Sequence, residues 1–143
     1  MENAPQGMEH LELMLFRVNG VLFGSELHQV KGVFAPEEEA STGVEITRLN
    51  DSFFGEPSNL QGNWKLIRLK EKSANGSEWE FLAEDPEDIV NISIDDIRPL
   101  PAIVGKLISF KSLWGSFIYK GEIGLLLDLA GLCVEIRSRN TSN

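Results

Sequence analysis

The chain has 143 residues, a formal net charge of −9 and a globular composition of 42% hydrophobic and 24% charged residues. This length suits one compact domain that buries its core without disulfide staples. The negative charge argues against nucleic acid and anionic membrane surfaces as partners, because both are bound through clustered Lys and Arg. The single Cys133 cannot form an internal disulfide, and its apolar neighbours predict a buried side chain.

The apolar runs are too short to span a membrane, and the first residues, Met1 to Gly7, are polar. We therefore expect a cytoplasmic protein without direct membrane insertion. One domain is expected over residues 11–136, with flexible tails at 1–10 and 137–143.

A β-hairpin is predicted at the start of the chain. Leu11 to Val18 has the alternation of a half-buried strand. Asn19-Gly20 is typical of a type I′ turn, because both residues tolerate positive φ, and Val21 to Gly24 begins the return strand. Leu27 to Phe34 fits either a short helix face or an irregular strand, and its β-branched residues favour the strand.

The middle of the chain predicts further short strands with frequent turns. Trp64 to Glu71 carries apolar and charged residues on both faces, which indicates partial burial on each side. Ser73 to Ser77 predicts a second Asn-Gly turn. The other predicted strands are Val44–Leu49, Glu78–Leu82 and Ile89–Ile97, and the last ends before Pro99 and Pro101, which lack the N–H that a sheet requires.

The C-terminal third predicts one more strand pair. The pattern of Ala102 to Leu113 fits either a short helix or coil. A tight turn at Lys120-Gly121 joins the strand from Ser116 to an almost wholly apolar strand, Gly124 to Leu129, which we expect to be covered on both faces. Asp128 is predicted to cap one terminal helical turn. About nine short strands without a long helix indicate an all-β sandwich or barrel.

The catalytic signatures are missing from the sequence. It has no Gly-rich phosphate loop, no Cys/His spacing for zinc and no nucleophile elbow. Carboxylates are plentiful, but Asp95 and Asp96 are adjacent in a predicted strand and would point to opposite faces. The acidic bend from Glu84 to Asp88 lacks the spacing of a calcium loop. We predict no catalytic, cofactor or metal site, and an enzyme using acidic residues is the minor alternative.

Some aromatic and cationic side chains are candidates for partner contact, because Trp, Tyr and Arg are enriched at binding hot spots. Trp64 and Trp79 are expected to be core or groove-lining residues. The predicted partner-binding residues are Phe34, Arg48, Phe53, Phe54 and Trp114.

Four segments carry a family resemblance. They are the hairpin Leu13–Gly24, the stretch Ile46–Gly55, the turn Tyr119–Gly121 and the closing segment Leu125–Leu129. Their order and spacing over residues 11–133 resemble those of the CheW-like coupling proteins of bacterial chemotaxis. The resemblance implies two small SH3-like five-stranded barrels packed side by side. It also implies a non-catalytic adaptor that joins the cytoplasmic tip of a chemoreceptor to the regulatory domain of a histidine kinase.

One family feature is missing from this chain. CheW-like proteins usually carry a Gly-Val-x-Asn-x-Arg-Gly segment between the first strands and a Leu-Gly turn. Here the chain passes from Phe34 through an acidic loop to Val44 without that segment. The difference leaves open a shortened first barrel and a different partner, including self-association.

Overall fold

The computed structural model describes residues 9–18, 20–35, 44–48, 64–72, 78–84, 88–102, 104 and 111–141. These ranges contain a sheet of nine strands. The strands are β1 (His10–Val18), β2 (Val21–Glu26), β3 (Val30–Phe34), β4 (Val44–Arg48), β5 (Trp64–Lys72), β6 (Glu78–Glu84), β7 (Ile89–Ser93), β8 (Leu113–Tyr119) and β9 (Glu122–Leu127). Helix α1 (Leu129–Thr141) follows β9. The all-β prediction is therefore confirmed.

The strands form two groups that meet at β1. The first group has the order β3–β5–β6–β4, and β1 joins it through the pair Arg17 and Glu84. The second group has the order β7–β1–β2–β9–β8. A bridge closes the second group into a barrel, because Arg98 and Ser116 each donate a backbone N–H to the other's carbonyl, at 2.9 and 2.8 Å.

The long strand β1 buries both of its faces from Leu13 to Phe16, so it can belong to both groups. One face contributes Leu13 and Leu15 to the interior of the second barrel, where they pack with Phe117. The opposite face contributes Met14 and Phe16 to a larger core that also contains residues of β5, β6, β9 and α1. Alternation along a strand thus sends successive side chains into two different cores.

The hairpin of β8 and β9 depends on two backbone conformations and one close contact. Lys120 and Gly121 both have positive φ, 50° and 79°, as a type I′ turn requires. Gly124 on β9 pairs with Phe117 on β8. A Cβ atom at Gly124 would lie 2.3 Å from the Phe117 ring, so the ring occupies the space that any side chain would need.

Asp128 caps α1 as predicted, because its Oδ1 accepts the backbone N–H of Gly131 at 3.1 Å. The same oxygen accepts a hydrogen bond from the Gln29 side chain at 2.9 Å. The helix is longer than the single turn predicted, since it packs Leu129, Leu132 and Cys133 into the larger core. The prediction that Cys133 is buried is confirmed, with 2% exposure.

Two short 3-10 turns replace parts of predicted strands. Leu27–Gln29 forms one before β3, which resolves the ambiguous stretch into a turn followed by a strand. Ile94–Asp96 forms the other, because the Ser93 side chain accepts the Asp95 N–H at 3.2 Å and ends β7 early. The prediction that Asp95 and Asp96 lie in a strand is therefore wrong, and both are exposed in the turn.

A bidentate ion pair joins the two hairpins. Two guanidinium nitrogens of Arg17 donate to the two carboxylate oxygens of Glu122, at 2.7 and 2.8 Å. The hydrogen bonds and charge of Arg17 hold the pKa of Glu122 below its ordinary value, against a smaller opposing effect of burial.

The pair predicts a pH-dependent contribution to stability. A carboxyl whose pKa is lowered by folding stabilises the native state above its unfolded pKa, about 4.3 for Glu, and loses that contribution as pH falls through the folded pKa. We expect wild type to be more stable than Glu122→Gln at pH 7 and the difference to close as pH falls below about 4. Urea unfolding at a series of pH values measures it; a gap independent of pH would contradict the expectation.

Candidate functional site

The first strand group brings two predicted partner-binding positions into one row. Phe34 on β3 pairs with Leu66 on β5, Leu66 pairs with Leu82 on β6, and Leu82 pairs with Arg48 on β4. Directly paired positions stack their side chains on one face of a sheet. Leu66 and Leu82 are buried as a small separate cluster. We call Phe34, Leu66, Leu82 and Arg48 the four-strand row.

A buried ion pair lies beside the four-strand row. The Arg68 Nε donates to Glu80 Oε2 at 2.7 Å, and an Arg68 terminal nitrogen lies 2.6 Å from the same oxygen. The Arg68 guanidinium also lies over the ring of Phe34, 4.3 Å from its centroid. Glu80 is fully buried, and its Oε1 has no hydrogen-bond partner among the described residues. Phe34 is therefore held in place by a fixed cation.

The other predicted residues of this surface are only partly placed. Phe53 and Phe54 lie outside the described residues. Arg48 is placed by the backbone of β4 alone, since its side chain lies outside the described part of the chain. Their role in partner binding stays a prediction.

Trp114 lies on the second barrel, away from the four-strand row. Leu113 pairs with Leu127 and Gly115 pairs with Leu126, so β8 carries one extra residue at Trp114. A β-bulge of this kind redirects a side chain, and here the indole is 43% exposed while Leu113 is buried. The core prediction is confirmed for Trp79, which is 3% exposed.

Two exposed isoleucines near Trp114 were missed by the sequence analysis. Ile118 and Ile123 are direct partners across the β8–β9 hairpin and are 55% and 54% exposed. Their equal spacing from the Lys120-Gly121 turn was a usable signal for a cross-strand pair. Leu125 to Leu127 are buried as predicted. The apolar strand is covered along most of its length and exposed only beside the turn.

A small cleft of about 230 Å³ lies beside the start of α1, lined in part by His28, Gln29, Lys70 and Ala130. The Ala130 N–H next to it is already bonded to Gln29, at 3.4 Å. Among the described residues, no three His, Cys, Asp or Glu side chains come together as metal ligands. Within the same described ranges, no helix has the length and apolar character needed to cross a membrane.

Comparison with known proteins identifies the fold. No protein-family model matches the chain, and no curated protein matches it in sequence. Among solved structures, the chain is similar to the scaffolding protein TtCheW from Thermoanaerobacter tengcongensis, with a TM-score of 0.65 and 12% sequence identity. The similarity covers 90% of this chain and 91% of TtCheW. This chain therefore has a CheW-like fold of two SH3-like barrels, as the sequence predicts. Sequence identity of 12% supports a conclusion about the fold only.

Proposed function

We propose that this protein is a non-catalytic, cytoplasmic adaptor of chemotaxis-type signalling that joins a chemoreceptor tip to the regulatory domain of a histidine kinase. The observation that supports the proposal is the end-to-end likeness to a scaffolding protein, which covers 90% of this chain. Sequence identity of 12% carries no residue roles with it, so the surfaces must be argued from this chain.

Two separate surfaces favour an adaptor. Phe34, the half-buried end of the four-strand row, lies in the first strand group, whereas the exposed Trp114 lies in the second barrel. Surfaces on different barrels allow two partners to bind at once, which an adaptor requires. Trp side chains that are partly exposed on a rigid strand are typical binding hot spots. Two of the ionic groups have structural roles, because Arg17 pairs with Glu122 and Asp128 caps α1.

Titration of the full chain against a receptor tip fragment and a kinase regulatory domain tests the proposal. We expect both to bind, and we expect Trp114→Ala to weaken one of them by about tenfold, which corresponds to about 1.4 kcal/mol. The matched control is Val134→Ala on α1, where the side chain is 66% exposed and lies outside both surfaces. Lack of binding to either fragment at about 50 μM would reject the coupling role.

A second candidate is a binding module of the same fold that serves another partner. The missing Arg-Gly segment between Phe34 and Val44 favours this alternative. It predicts that both titrations fail while Trp114→Ala still weakens the binding of whichever partner is recovered. For an enzyme using acidic residues, the described residues offer no group of three His, Cys, Asp or Glu side chains that could hold a metal ion.

A further inference from the structure

The exposed Trp114 lies in a short run of buried residues at the start of β8. Ser112 and Ser116, two positions away on either side, are both buried. Leu113 and Gly115, which flank Trp114 directly, are buried as well. The bulge therefore presents one exposed indole from a run that is otherwise packed, and the contacts that hold this run decide where the indole points.

The segment that contains α1 supplies the contacts on the N-terminal side of the bulge. The two carboxylate oxygens of Glu135 accept the backbone N–H groups of Lys111 and Ser112, at 2.7 and 2.8 Å. Hydrogen bonds to an ionised carboxylate are stronger than those between neutral groups. The Ser112 carbonyl accepts the backbone N–H of Asp128 at 2.8 Å. Both backbone polar groups of Ser112 are thus bonded to the same C-terminal segment.

The Arg98 segment supplies the contacts on the C-terminal side of the bulge. Arg98 and Ser116 exchange backbone hydrogen bonds, and the Ser116 hydroxyl donates to the Pro99 carbonyl at 2.9 Å. Gly115 packs so closely that a Cβ atom there would lie 3.2 Å from the Arg98 carbonyl oxygen. The chain is therefore fixed immediately after the bulge. Before the bulge, the corresponding restraint is the Glu135 side chain.

We propose that Glu135 is a positioning residue for Trp114 and holds the exposed indole in the orientation that contacts a partner. The identity of that partner rests on the proposed function, whereas the positioning does not. Without the carboxylate, the bond to Asp128 is the remaining hydrogen bond of the Ser112 backbone among the described residues. An aromatic side chain that is held in place before binding loses less conformational freedom when a complex forms.

A purely structural role for Glu135 makes a different prediction. Leu113 packs in the larger core and pairs with Leu127, so it anchors β8 without help from α1. If that anchor is enough to fix the bulge, removal of the Glu135 carboxylate lowers the stability of the domain and leaves the indole unchanged. A readout at the indole itself therefore separates the two roles.

Fluorine NMR of the full chain labelled with 5-fluorotryptophan provides that readout without any partner. The chain has three tryptophans, and Trp114→Phe assigns the resonance of Trp114. We expect one narrow Trp114 resonance in wild type and a resonance at least about twofold broader in Glu135→Ala, because the indole then samples several orientations. The resonance of the buried Trp79 is expected to stay unchanged. An unchanged Trp114 resonance in Glu135→Ala would overturn the inference.

Glu135→Gln is the conservative variant. It keeps one acceptor oxygen and replaces the other by a donor, so its Trp114 linewidth is expected to lie between those of wild type and Glu135→Ala. A linewidth outside this interval would contradict the role of the two acceptor oxygens. Circular dichroism and thermal midpoints verify folding, and Glu135→Gln carries the comparison with wild type if Glu135→Ala does not fold.

Asp128→Ala is the matched control. Asp128 also accepts two hydrogen bonds through its carboxylate, from the first turn of α1 and from the Gln29 side chain. Its bond to the start of β8 comes from the backbone N–H and remains in the variant. We expect the Trp114 resonance of Asp128→Ala to match wild type. Broadening equal to that of Glu135→Ala would mean that general loosening of α1 explains the effect, and the inference fails.

Titration with the fragment whose binding depends on Trp114 tests the consequence for the partner. We expect Glu135→Ala to weaken binding about threefold to tenfold. The double variant Glu135→Ala/Trp114→Ala is expected to bind no more weakly than Trp114→Ala, because Glu135 acts through the indole. Further weakening in the double variant would contradict the positioning role. If neither fragment binds, the proposed function fails, and the fluorine experiment still decides the inference.

Discussion

Arg68→Met is expected to destabilise the fold by about 3–5 kcal/mol, because it leaves a buried carboxylate without its counter-charge. Glu80 is fully buried. Two Arg68 nitrogens contact its Oε2, at 2.7 and 2.6 Å. The change also removes the cation that lies over the Phe34 ring. Urea unfolding at pH 7, followed by tryptophan fluorescence, measures the loss.

The double variant Arg68→Met/Glu80→Leu is the matched control for this prediction. Replacing both members of a buried ion pair by apolar side chains is often neutral or stabilising, because the desolvation of both charges is removed together. We expect it to recover most of the stability lost in Arg68→Met. If the double variant is less stable than Arg68→Met alone, the pair stabilises through its hydrogen bonds and not through charge compensation.

Phe117→Ala is expected to cost about 3–5 kcal/mol, because its ring fills the second barrel and leaves a cavity when removed. The side chain is 1% exposed and packs with Leu13, Leu15 and Leu126.

Gly124→Ala is expected to cost about 1–3 kcal/mol for the opposite reason, since the new methyl group meets the Phe117 ring. The ring atom concerned would lie 2.3 Å from the new Cβ.

The double variant Gly124→Ala/Phe117→Leu tests whether these two residues form one packing unit. Leu at position 117 makes room for the methyl group, so we expect the double variant to be more stable than the summed losses of Gly124→Ala and Phe117→Leu predict. Additive losses, measured by thermal unfolding of all four proteins, would contradict the contact between position 124 and Phe117 as the cause.

Local chemistry made several elements of the fold predictable. The turn at Gly20, the turn at Lys120-Gly121 and the cap at Asp128 were found from residue types alone, because positive φ and side-chain capping are properties of a few neighbouring residues. The 3-10 turn at Ile94–Asp96 was missed because the Ser93 side chain competes with the sheet for the Asp95 N–H, and strand alternation does not reveal such competition.

The candidate surfaces were less predictable than the fold. Trp114 was selected for its residue type, but its exposure comes from a bulge defined by pairing with β9. The ion pair of Arg68 and Glu80 was not predicted, since alternation alone gives no register between β5 and β6. Ile118 and Ile123 look like core residues in the sequence, yet they are exposed because the larger core covers β9 only from Leu125 onward.

By itself, the sequence determined the all-β class, the positions of most described strands along the chain, the turns at Gly20 and Lys120-Gly121, and the resemblance to CheW-like proteins. Those features depend on contacts between residues close in the chain and on hydrophobic alternation. The tertiary structure alone decided which face of each strand is covered, the register that places Phe34 in one row with Arg48, and the bulge that exposes Trp114. Those features depend on contacts between distant segments, and neither alternation nor turn chemistry specifies such contacts.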